Sequence, residues 1–129
     1  MENECKFDNL CKAAIHSLKT AKLFAELHNE RLVAASCVQA YRNLEEADQY
    51  AEVDLAAVRG LFRDVRDSCA ATDWQAARDN LSVVEGFVEA AAQAHQQQHE
   101  RGSGAKSLSE LQNILQLTSW EPPKGFLPN

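Results

Sequence analysis

The stretch FDNLCKAAIHSLKTAKLFAELH, residues 7–28, decides the fold. Phe7, Cys11, Ala14, Leu18, Ala21 and Ala25 recur along it in steps of four and three. Such steps keep side chains on one face of a helix and do not fit the two-residue alternation of a half-buried strand. The pattern predicts a first helix over about 7–28. The same period returns three times downstream. Val33, Cys37, Ala40, Leu44, Ala47 and Ala51 mark a second helix over about 30–51. Leu55, Val58, Phe62, Val65 and Cys69 mark a third over about 55–71. Trp74, Ala77, Leu81, Val84, Val88 and Ala91, running on to His95, mark a fourth over about 74–99.

Proline placement supports long helices. Pro122, Pro123 and Pro128 are the three prolines of the chain, and all follow residue 121. An interior proline costs a helix about 3 kcal/mol, so the preceding stretch is free of its strongest breaker. Asn29 and Asp54 fit as N-caps of the second and third helices, and Thr72 with Gln75 fits a capping box for the fourth. A period near 3.5 residues and short connections predict an all-α fold, an antiparallel up-down four-helix bundle over residues 1–100.

Residues 101–129 read differently. QQQHERGSGAKS (96–107) predicts a fraying helix end and then a flexible linker. Ser107 with Glu110 opens a short amphipathic helix carrying Leu108, Leu111, Ile114 and Leu115. Trp120 and EPPKGFLPN (121–129) follow as an extended, Pro-containing tail with Phe126 and Leu127 as apolar anchors.

The chain has 129 residues, 45% of them hydrophobic and 25% charged, which suits one globular domain with a modest core. A net charge of −6 disfavours nucleic acid as a partner, because phosphate backbones are repelled unless a local basic patch intervenes. No apolar run approaches the roughly 20 residues of a membrane span. The acidic start, MENEC, has no signal-peptide pattern, so a cytoplasmic location and reduced thiols at Cys5, Cys11, Cys37 and Cys69 are expected.

Phosphate-loop, GxSxG, HExxH and Glu-x-x-His motifs are all missing from the sequence. The expectation is therefore a non-enzymatic chain without a cofactor. Four constellations remain. The first is His16, which points away from the Phe7 stripe at about 100° per residue, beside Lys12 and Lys19. The string His16-Ser17-Leu18-Lys19-Thr20-Ala21 resembles the phospho-acceptor site of histidine phosphotransfer domains, themselves four-helix bundles. That resemblance implies His16 as acceptor and Lys19 as a charge-stabilising neighbour. Thr20 departs from the glycine that the family usually carries there. The plainer account is a solvated surface histidine.

The second constellation is metal-like. An up-down bundle would gather Cys5, Cys11, His95 and His99 at one end, with His28, Cys37 and Cys69 at the other. Thiolate and imidazole suit zinc or copper. Small core cysteines and a solvated helix end account for the same residues without a metal.

The third is a basic row, Arg59, Arg63 and Arg66, able to grip an acidic partner or phosphates. The competing account is a solvated face with an i,i+4 pair between Arg63 and Asp67. The fourth is the apolar C-terminal segment. Leu108, Leu111, Leu115, Trp120, Phe126 and Leu127 are the expected docking residues. Leu23 and Leu27, opposite the main stripe of the first helix, would form part of a receiving surface. Together these features favour a protein-interaction module (an adaptor, small chaperone or accessory subunit) that binds another protein or itself.

Overall fold

The computed structural model describes the backbone of residues 2–118 and the side chains of residues 6–98. It contains four helices and, among the described residues, no strand: α1 (Glu2–Glu26), α2 (Glu30–Ala47), α3 (Leu55–Ala70) and α4 (Trp74–Thr118). The chain divides into two compact units, Met1–Gln93 and Ala94–Asn129.

In the first unit the apolar stripes supply the core. All six stripe positions of α1, from Phe7 to Ala25, are buried. Val33, Ala40, Leu44 and Ala47 of α2, Val58, Val65 and Cys69 of α3, and Ala77, Leu81, Val84 and Val88 of α4 join them. Many of these residues are alanine or valine, small side chains that let helices approach closely. Val53, in the connection between α2 and α3, is also buried, and its backbone N–H donates to Asp48 Oδ1 at 2.8 Å. That bond belongs to the turn that ends α2 at Ala47, four residues earlier than the stripe predicts.

The connections show how the helices stop and restart. At the end of α1, His28 adopts a left-handed backbone (φ 56°), and the N–H groups of His28 and Asn29 donate to the carbonyls of Ala25 and Phe24. This is a Schellman closure. Asn29 then caps α2, its Oδ1 accepting from Leu32 N at 3.1 Å. The end of α3 repeats the arrangement. Thr72 is left-handed (φ 56°), and Thr72 and Asp73 donate to Cys69 and Ser68. Asp73 caps α4, with Ala76 N at 3.1 Å from its Oδ1. Thr72 and Gln75 therefore do not form the expected capping box. The Thr72 hydroxyl donates to the Ala71 carbonyl, and Gln75 donates to Asp79. The cap lies one residue later because Thr72 is already used to close α3. Asp54 caps α3 as expected, its Oδ1 accepting from Ala57 N at 3.1 Å.

Contacts between elements fix which segments are neighbours. The His28 ring stacks on Trp74 at 5.0 Å and 6°. Lys6 lies over the Tyr50 ring, 5.7 Å from its centroid. Asn80 Nδ2 donates to Ser68 Oγ at 2.9 Å.

In the second unit the helical backbone of α4 continues through Gly102 and Gly104 to Thr118. The sequence predicts a linker there and a fresh helix start at Ser107. An interior glycine costs a helix only about 1 kcal/mol, and no proline intervenes to stop it. The side chains of Leu108, Leu111 and Leu115, and the whole of Trp120, Phe126 and Leu127, lie outside the described residues.

Candidate functional site: an arginine-rimmed groove between α2 and α3

The seams of the first unit follow from the stripes. Residues one position after a stripe residue sit about 100° round the helix from it. On α1 these include Lys19, after Leu18, and Lys22, after Ala21; on α4 they include Ser82, after Leu81, and Glu85, after Val84. These residues meet. Lys22 Nζ lies 2.7 Å from Glu85 Oε1 and 3.4 Å from Ser82 Oγ, and Lys19 Nζ lies 4.0 Å from Glu85 Oε2. Glu85 is only 8% exposed, so a lysine pair closes over an almost buried carboxylate.

The same offset on α2 and α3 gives an open groove. Val38 follows Cys37, Tyr41 follows Ala40, and Arg59, Arg63 and Arg66 follow Val58, Phe62 and Val65. With Arg42 and Glu45 these residues line a cleft of about 430 Å³. A second cleft of about 220 Å³ shares Cys37, Val38, Phe62 and Arg66 and extends to Glu30 and Cys69. The floor is apolar. Val38 is 49% exposed within it, and Tyr41 meets Phe62 edge-on with ring centroids 6.3 Å apart.

Positive charge predominates at the larger cleft, where Arg42, Arg59, Arg63 and Arg66 stand against Glu45. Arg59 spans it, donating to the Tyr41 hydroxyl at 2.8 Å. Arg66 turns to Asp67, 3.2 Å away, and both side chains are well exposed. That pairing corrects the expected Arg63–Asp67 bridge: Asp67 is taken by its immediate neighbour. Among the described residues, neither the Arg63 nor the Arg42 side chain has an ion pair or hydrogen bond.

The thiols at the groove serve as apolar surface. Burial, with the neighbouring Cys69 second, pushes Cys37 up to about 12. Burial, with Glu30 second, raises Cys69. Cys11, fully buried in the core, is pushed up to about 11 by burial and then by Asp8. Protonated thiols are poor nucleophiles and poor metal ligands. Among the described residues no group of three or more His, Cys, Asp or Glu side chains is arranged to hold a metal ion. His95 is half-buried, and the side chains of Cys5 and His99 lie outside the described residues.

The other sequence candidates fall elsewhere. His16 is exposed on α1, its carbonyl accepting from the Thr20 hydroxyl at 3.1 Å. Lys19, the expected partner of a phosphoryl group, is drawn toward Glu85. Leu23 and Leu27 are 60% and 72% exposed. Sequence reasoning missed Glu85 and the groove's α2 wall. The sequence offered only a positional hint: Glu85, Val38 and Tyr41 each directly follow a stripe residue, which places them on a flank but does not show what they meet there.

No family model matches the chain, and neither the curated proteins nor the solved structures include one significantly similar to it. No described helix is long and apolar enough to cross a membrane.

Proposed function

We propose that this chain is a non-enzymatic protein-interaction module, built as an antiparallel up-down bundle, whose α2–α3 groove receives an amphipathic helix of a partner protein. The observation that carries the reading is the groove itself: an apolar floor of Cys37, Val38 and Phe62, open to the surface between two helices. Its α3 wall runs from Arg59 to Cys69, about 15 Å at 1.5 Å per residue, which matches roughly three turns of an incoming helix. Lys6 over Tyr50, His28 on Trp74 and Asn80 to Ser68 support the antiparallel order.

In the same proposal the C-terminal segment, with Leu108, Leu111, Leu115, Trp120, Phe126 and Leu127, is a second attachment element. Deleting 105–129 should leave melting nearly unchanged and weaken partner binding or self-association. Unfolding on deletion would make the segment structural.

Selection of helical peptides from a displayed library on the full chain tests the groove. Selected peptides should lose at least about tenfold affinity against Val38→Asn, whose side chain is exposed enough to change without disturbing the core. Peptides indifferent to that substitution would refute the groove as the docking surface.

A further inference from the structure

The two seams made from residues following the stripes differ in one respect. The α1–α4 seam contains Glu85 between Lys19 and Lys22, and it is closed. The α2–α3 seam presents Arg42 from one wall and Arg59, Arg63 and Arg66 from the other, and it is open. From these differences we infer that the occupant of the α2–α3 groove is an acidic amphipathic helix, whose carboxylates take the position in this seam that Glu85 takes in the other. The inference rests on the groove being the docking surface and names the chemistry of what docks.

Three observations carry it. First, cationic side chains rim an apolar floor in a chain whose net charge is −6, so the positive field is local rather than a property of the whole molecule. Second, Arg42 on α2 and Arg63 on α3 both line the cleft with side chains that have no partner among the described residues, and Arg66 is held only by an exposed pair with Asp67. An exposed pair of this kind contributes little and exchanges readily for another carboxylate. Third, the α3 row rises about 6 Å from Arg59 to Arg63 and about 4.5 Å from Arg63 to Arg66. That spacing matches carboxylates at i, i+4 and i+7 on a facing helix. It does not converge on a point, as the grip on a single phosphate would.

Arginine suits the task. Its planar fork meets a carboxylate with two parallel N–H···O bonds, and its stem lies along the apolar wall. Glu45 and Glu30 at the two ends of the groove repel acidic side chains there and favour register with the central arginines.

The test uses three labelled helical peptides with one leucine face and Glu, Gln or Lys at the flanking i, i+4 and i+7 positions. Each is titrated into the full chain and followed by fluorescence anisotropy. The Glu peptide should bind about tenfold tighter than the Gln peptide, and the Lys peptide weakest, with the gaps narrowing between about 50 and 300 mM salt. Arg42→Glu with Arg63→Glu should reverse the order and leave the melting temperature within a few degrees, since neither arginine has a partner to lose.

Equal binding of all three peptides would overturn the acidic inference and leave the groove reading standing. Binding of none would remove both. A single-stranded RNA probe that bound more tightly than the Glu peptide, and was lost in the double variant, would assign the rim to phosphates instead. Concentration-dependent dimerisation abolished by the same variant would make a second copy the occupant; either result overturns the inference.

Discussion

The α1–α4 and α2–α3 seams are built by one rule and end in opposite states. Both consist largely of residues that directly follow stripe positions, though two of those positions in the second seam, Cys37 and Phe62, are only half-buried. On the first, charges of opposite sign meet: Lys22 reaches Glu85 at 2.7 Å, and the helices close over a carboxylate that is 8% exposed. On the second, arginines line both walls and the apolar floor stays open. The contrast separates the residues that pack the core from the residues that set the charge of each seam. The stripes hold the helices together, while the residues that follow them leave one seam closed by an ion pair and the other open.

The largest effect should come from the core that both seams share. Leu18 and Leu81 are completely buried, and cutting either to alanine removes packed methyl groups and leaves a cavity. Each should lower unfolding free energy by about 2–5 kcal/mol in a denaturant titration. A loss below about 1 kcal/mol would mean that the stripes do not carry the fold.

The thiols give the next effect. Cys37 and Cys11 are raised to about 12 and about 11 from 9.0. Above about pH 9 the unfolded chain releases these protons while the native chain keeps them, so the native state binds more protons and stability falls as pH rises. The fall is up to about 1.4 kcal/mol per pH unit for each thiol. Cys11→Ala should flatten the stability profile above pH 9; an unchanged slope would contradict a protonated core thiol.

Smaller changes separate the seams. Glu85→Gln should cost about 1 kcal/mol, because Lys22 then sits over an uncharged group but can still reach water. The same measurement on Arg63→Ala should give a change within about 0.5 kcal/mol, since no partner is lost. A stability loss at Arg63 matching that at Glu85 would erase the distinction between the seams. At the α3–α4 turn, Thr72→Gly should stabilise by about 1 kcal/mol by relieving a β-branched residue at φ 56°. A loss of stability there would mean that the left-handed backbone at Thr72 carries no relievable strain.

The sequence made the helices and their inner faces legible because both depend on local period. The α1 stripe, Phe7 through Ala25, is buried at every position. Asn29 and Asp54 were readable as caps for the same reason: a cap needs only its own helix. Thr72 misled because two local signals overlap, one closing α3 and one opening α4. Glu85 was invisible because its burial depends on lysines more than sixty positions away in the chain. The arginine row was legible as chemistry but not as a site. Its meaning depends on α2 standing off α3, a nonlocal distance, and on Asp67 turning to Arg66 rather than Arg63.

Amide shifts of the isotope-labelled full chain, followed as the Glu-flanked peptide is added, would show whether the α2–α3 groove receives it. Saturable changes should concentrate between Glu30 and Glu45 on α2 and between Arg59 and Cys69 on α3, with the amides around Lys22 and Glu85 nearly still. Changes centred instead on the exposed Leu23, Leu27 and Val83, or no saturable change anywhere, would contradict docking in the groove.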